Sequence, residues 1–186
     1  MTTQMLVEDF LGGDVPPHSQ LINGEVVVHD PSFRHQETLS DIHLLLKQWS
    51  LAAPGPGRAG IGGNWIFGPA TSLIPDAWWV PAEQAPSLVG IRSDLPPALA
   101  VEVRSPSTWI RDAGVKLRIF EEGGVQEVWL VDNIANIIGV HRRSWPSSPT
   151  FDVAFDISSG HLASPLLADF ELDVVALFAM LEYSPT

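Results

Sequence analysis

The alternation of apolar and polar positions divides the chain into segments with distinct periods. Residues 32–51 carry Leu39, Ile42, Leu45, Leu46 and Trp49 on one stripe, the spacing of an amphipathic helix. LINGEVVV (21–28) reads as a strand, with Asn23-Gly24 as a bend within it. LIPDAWWV (73–80) and EVWLVD (127–132) read as apolar strands, and ALAVEVRS (98–105), nearly continuous apolar sequence with one acid inside it, suits a strand buried on both faces. Gln4–Leu11 makes a short helix ended by Gly12 and Gly13, and APGPG (53–57) stops the long helix. Residues 81–97, with Pro81, Pro86, Pro96 and Pro97, read as loop. A third helix is expected at about 108–122, after a turn opened by Pro106, and capped by Gly123 and Gly124. Residues 136–143 and 151–156 read as a β-meander and 173–182 as a closing helix. The order predicts an α/β protein with a mixed central β-sheet flanked by helices.

Length and composition fit this picture. A chain of 186 residues, 45% hydrophobic, has enough apolar material for one core, so a single domain over 1–186 is expected. No apolar run reaches the roughly 18 residues of a membrane span, and the N-terminal stretch lacks a signal-peptide pattern. No membrane association and a cytoplasmic location are the default expectations. The absence of cysteine excludes disulfides, thiolate metal sites and cysteine nucleophiles. A net charge of −12 argues against a non-specific nucleic-acid coat. The basic residues are nevertheless concentrated: Arg92, Arg104, Arg111, Lys116 and Arg118 face only Asp94, Glu102 and Asp112 over 92–118, a local balance of +2. This is either a phosphate-facing patch or a solvated helix face. Seven tryptophans, among them Trp65, Trp78, Trp79 and Trp145, are many for one core. An exposed tryptophan patch, and through it a homodimer, is one expectation; a tryptophan-rich core is the other.

Two acids stand inside apolar runs, Asp76 and Glu102. A carboxylate in such a setting is costly unless it is paired or binds a metal. On adjacent strands the two would converge, and oxygen ligands of this kind suit magnesium. Lys116 follows Glu102 by 14 residues on the next helix, on the face it shares with Asp112 and Phe120, from where it can reach back over the strand ends. Taken singly, each has a plainer reading: Asp76 after Pro75 as a turn residue, Lys116 as a solvated helix residue, His35 as a helix cap and Glu25 as an edge-strand acid.

The ordered set of LINGEVVV (21–28), His35 within PSFRHQ, IPDAWWV (74–80), LAVEVRSPST (99–108), Asp112 to Lys116, GVQEVWLVD (124–132) and SPLLADFELDVVALF (164–178) resembles the Uma2 family, of the PD-(D/E)xK nuclease-like superfamily. The resemblance covers nearly the whole chain. It implies a restriction-endonuclease-like core and a magnesium- or manganese-dependent nuclease acting on DNA. Asp76, Glu102 and Lys116 would be its catalytic residues, Asp76 and Glu102 its metal ligands, and Glu25, His35 and Arg104 accessory. Arg104 stands where the superfamily usually has lysine, and Lys116 matches the position to which this family shifts it. Gln20 replaces an acid common in such families, and Phe120 stands where a tyrosine is common. The Gln20 change weakens the expectation of a second metal. The rival readings are a non-catalytic binding or regulatory module that keeps the fold, and a metal-dependent hydrolase of another substrate.

Overall fold

Asn23 and Gly24 adopt φ of 51° and 82°. Positive φ at both central residues is the requirement of the tight turn that best matches strand twist. The 21–28 segment therefore folds back on itself as two strands, β1 (Ser19–Ile22) and β2 (Glu25–Val28), rather than running on as one bent strand. The computed structural model describes residues 4–52, 57–105, 112–179 and 181. The proline-rich helix stop at 53–56, the expected helix start at 106–111 with Arg111, and the end of the closing helix lie outside the described residues.

The elements follow the expected order. The first helix, α1 (Val7–Gly12), is followed by the β1–β2 hairpin and the long α2 (Phe33–Ala52). Strands β3 (Arg58–Ile61), β4 (Asn64–Gly68), β5 (Thr71–Leu73) and β6 (Ala77–Val80) come next, then a short β7 (Arg92–Ser93) within the proline-rich loop and β8 (Leu99–Val103). The third predicted helix begins, among the described residues, as a π-helical turn at Asp112–Lys116 that passes into α3 (Leu117–Glu122). The chain then forms β9 (Glu127–Asp132), β10 (Ile137–Arg142), β11 (Val153–Ile157), a hairpin of β12 (His161–Ser164) and β13 (Leu167–Asp173), and α4 (Val174–Ala179). The 73–80 run is broken into β5 and β6 at Ile74–Asp76, where Pro75 supplies no N–H to a ladder. No helix is long and apolar enough to cross a membrane among these residues.

The main sheet runs β11-β10-β9-β8-β6-β3, and a second sheet runs β2-β1-β5-β4-β7. Within the main sheet β8 and β9 are parallel and the other neighbours antiparallel, so the sheet is mixed, as the sequence predicts. All five β8 residues are buried. Leu99, Val101 and Val103 face one cluster, with Ile42 and Leu46 of α2, Trp129 and Phe170. Ala100 faces the other, with Phe120, Val128 and Leu130. The stripe on α2 packs as expected: Ile42 and Leu46 are buried, and Leu39, Leu45 and Trp49 lie against the same cluster.

The expected tryptophan patch does not form. Trp65, Trp78 and Trp79 are buried, and of the four only Trp145 is exposed, at 72%. Trp65 and Trp78 pack edge to face, and Trp49 sits between Trp79 and Phe170. Trp65, Trp78, Trp79 and Trp129 are taken up by the core, so they supply no reason to expect a homodimer.

One buried acid holds the β12–β13 hairpin against the main sheet. Glu127 accepts from Trp129 Nε1 at 2.6 Å, from Ser164 Oγ at 2.8 Å and from Arg142 Nη2 at 3.1 Å. Removing the acid strands three donors at once. Glu127→Ala is expected to destabilise the fold by about 3–5 kcal/mol, read by urea denaturation; a change below about 1 kcal/mol would deny this network its structural role.

Candidate active site

The break between β5 and β6 is what frees Asp76 from the ladder. Its flanks are pinned by polar contacts: Gln20 Oε1 accepts from the Ile74 N–H at 3.0 Å, and the Asp76 carbonyl accepts from the Gly62 N–H at 3.3 Å. The carboxylate is held at both oxygens. Oδ2 accepts from the Val103 N–H at 2.7 Å, and Oδ1 lies 3.3 Å from His35 Nε2. Gln20 thus has a local structural task that needs an acceptor but no charge.

Glu102 reaches the same region through register. Trp78 pairs with Ala100 across β6 and β8, and carrying that pairing two residues further sets Asp76 opposite Glu102. Glu102 is 2% exposed and Lys116 is 1% exposed, and Lys116 Nζ lies 2.8 Å from Glu102 Oε2. Lys116 closes the π-helical turn, and Phe120, one turn on, is buried on the same side while Arg118 is exposed. A π-helical turn widens the backbone, a device common at functional sites. Here it ends on the residue whose ammonium is directed at the sheet. The charge of Lys116 also acts on Asp76. Asp76, Glu102 and Lys116 are thereby gathered at one end of β6 and β8.

The other candidate residues fall at varying distances from this centre. His35, buried on the first turns of α2, faces Asp76 directly. Arg104, just past β8, donates to Asp132 at 2.7 Å, and Asp132 also accepts from the N–H groups of Ile134 and Ala135. Glu25 is exposed at the start of β2, opposite Ile22. Arg92 is engaged by Glu8 at 2.6 Å and by Asp94 at 3.5 Å, so part of the local basic excess is consumed at the surface.

Histidines that the sequence reading passed over also meet here. His29 follows β2, and its ring lies 5.2 Å from that of His35, centroid to centroid. The ligand atoms of His29, His35 and Asp76 all lie within 4.8 Å of one another. Together with His18, Gln20, Gln36 and Ile74 they line a cavity of about 140 Å³. Three of the six histidines of the chain are therefore at one place. The available signal was the recurrence of histidine at 18, 29 and 35, on both sides of the hairpin segment and at a helix start.

The electrostatics of the His35–Asp76 pair follow from its surroundings. Burial opposes the charge on His35, but the hydrogen bond and charge of Asp76, with the Arg104 and Val103 backbone, raise its pKa above 6.5. Burial likewise pushes Asp76 up, but the hydrogen bond and charge of His35, the charge of Lys116 and the Val103 N–H hold it below 3.8. Each partner thus favours the charged form of the other.

A mixed sheet covered by helices, with carboxylates and a lysine converging at the ends of two central strands, defines the restriction-endonuclease-like class of α/β proteins. The chain belongs to the Uma2 family, whose description is "Putative restriction endonuclease" and whose model matches residues 9–174. It is similar in fold to a crystal structure described as "a putative nuclease belonging to DUF820" from Anabaena variabilis. The TM-score is 0.80 at 20% identity, over 95% of this chain and 99% of the other. A comparison with curated proteins finds no match.

The ion pair makes stability depend on pH in a defined way. Asp76, lowered, contributes stability above its unfolded value near 3.8 that is lost as pH falls through its folded pKa. His35, raised, contributes stability below its unfolded value near 6.5 that is lost as pH rises through its folded pKa. The stability difference between wild type and His35→Gln is expected to be greatest between about pH 4 and 6.5 and to shrink above it. Urea unfolding across pH 4–9 measures this, and a difference that grows above neutrality would reverse the assignment.

Proposed function

We propose that this protein is a divalent-metal-dependent nuclease that hydrolyses DNA phosphodiester bonds, with Asp76, Glu102 and Lys116 as its catalytic residues. The observation that carries the reading is the buried Lys116–Glu102 pair, 2.8 Å long, set beside Asp76 at the end of an otherwise apolar sheet. A structural core has no use for such a pair, since replacing buried ion pairs by apolar residues is often neutral or stabilising. The register that sets Asp76 opposite Glu102 supplies two carboxylates on neighbouring strands, a donor set suited to Mg²⁺ or Mn²⁺. When bound there, such an ion supplies Lewis-acid polarisation of the phosphoryl oxygen and acidifies water.

The remaining work falls to the protein. The Val103 N–H and His35 fix both oxygens of Asp76, so its orientation costs nothing during the reaction. Lys116 is compact and held by Glu102, and its ammonium can orient the attacking water or donate to a non-bridging phosphoryl oxygen as negative charge builds. Arg104 keeps its cation but shares it with Asp132, which suits it to holding a neighbouring phosphate rather than to proton transfer. Arg118, exposed on α3, is a further candidate for phosphate contact.

The net charge of −12 favours the rival reading of a binding or regulatory module, and the same experiment separates the two. With Mg²⁺ or Mn²⁺ and a mixture of single- and double-stranded DNA, wild type is expected to cleave. Lys116→Ala is expected to lose about 100-fold or more, the scale of one lost transition-state donor. Arg104→Lys is expected to retain more activity than Lys116→Arg. Circular dichroism must show each variant folded, because Lys116→Ala leaves Glu102 buried without its partner at a cost of about 3–5 kcal/mol. Cleavage by Lys116→Ala at the wild-type rate, with Arg104→Ala inactive, would move the role to Arg104. Absence of cleavage by wild type would leave the binding module.

A further inference from the structure

We infer that the protein has a transition-metal site made by His29, His35 and Asp76, distinct in its donors from the carboxylate pair and sharing Asp76 with it. The inference rests on the reading of Asp76 as a metal ligand and adds a nitrogen-donor site beside it.

The geometry brings two imidazoles and a carboxylate to one place. His35 Nε2 and Asp76 Oδ1 are 3.3 Å apart. Two donors each about 2.1 Å from an ion, at a tetrahedral angle, lie about 3.4 Å apart. The full set spans no more than 4.8 Å. Binding one ion therefore draws the three donors in from that span toward about 3.4 Å. The three come from separate elements: the end of β2, the start of α2 and the break before β6. All three line the 140 Å³ cavity, as do His18 and Gln20, whereas Glu102 and Lys116 are not among its lining residues. The cavity leaves room for water to complete the coordination.

The donor chemistry decides which ions fit. Two imidazoles and one carboxylate favour Zn²⁺ or Ni²⁺, because imidazole suits these ions and Mg²⁺ prefers oxygen. Gln20 bears on the same point. Where a carboxylate would have added charge and an oxygen ligand for a hard cation, the amide only holds the Ile74 N–H. The cavity is thus biased toward nitrogen ligation.

The test uses the full-length protein, Zn²⁺ as the probe, a fluorescent chelator as competitor and millimolar Mg²⁺ throughout. Wild type is expected to bind one Zn²⁺ that Mg²⁺ does not displace. His29→Asn is expected to weaken that binding at least tenfold, and His35→Gln likewise. Glu102→Gln is expected to keep it within about threefold, and His161→Asn, which alters an exposed histidine elsewhere, is expected to leave it unchanged. If His29→Asn lowers the melting temperature, His29→Gln takes its place. Unchanged Zn²⁺ affinity in the folded His29 and His35 variants would overturn the site. So would loss of binding in Glu102→Gln, which would assign the ion to the carboxylate pair. Failure of wild type to bind Zn²⁺ overturns it too. Absence of DNA cleavage with Zn²⁺ binding intact would sink the nuclease reading and leave this site standing.

Discussion

A lysine and a glutamate buried together at the end of the central strands set the terms for the rest of this molecule. Either charge alone would be too costly at that depth, so each requires the other. Glu102 is delivered by β8, the strand buried on both faces, and Lys116 by a turn wound more widely than an ordinary helix. Phe120, one turn later on the same side, anchors that turn in the apolar cluster over β8 and β9. The position of the ammonium is therefore determined by packing as much as by charge.

Asp76 depends on a different principle. It is available because a strand fails. Proline before it interrupts the ladder, and Gln20, Gly62 and Val103 take over the hydrogen bonds that a regular strand would have made. The result is an acid with strand-like placement and loop-like freedom of orientation, which His35 then settles from above. Gly60 contributes to the same corner: the Trp78 ring occupies the space a Cβ there would take, which lets β3 lie close against β6.

Much of this was legible in the sequence wherever an apolar period ran long enough. The stripe on 32–51 and the run at 127–132 became α2 and β9 almost residue for residue. Asp76, Glu102 and Lys116 stood out because charged residues in apolar runs need a reason, and the structure gathers them at one place. What escaped has physical causes. The β12–β13 hairpin alternates buried and exposed residues over short spans that include Asp169, Glu171 and Asp173, so it has no apolar run to notice. His29 sits at the end of an edge strand, and its neighbours in space come from α2 and β6, which no local pattern reveals. The sequence leaves open whether the tryptophans form a patch or a core, because counting aromatic residues says nothing of where α2 and the two sheets leave volume for them.

The β12–β13 hairpin pairs in its own small sheet and shares no ladder with either larger one among the described residues. Its attachment is by side chains: Ser164 on Glu127, Arg142 on the Ala163 carbonyl, Trp49 on the Ala168 carbonyl, and Leu162, Leu167, Phe170 and Leu172 in the core. A unit joined without shared backbone bonds can lift away while the main sheet stays paired. Amide exchange in 161–173 should then proceed through openings far smaller than global unfolding, whereas β8, enclosed by neighbours on both edges, exchanges only when the whole domain opens. Each opening would bare the Trp129 face, so the lifetime of that excursion bears on how readily this chain aggregates under stress.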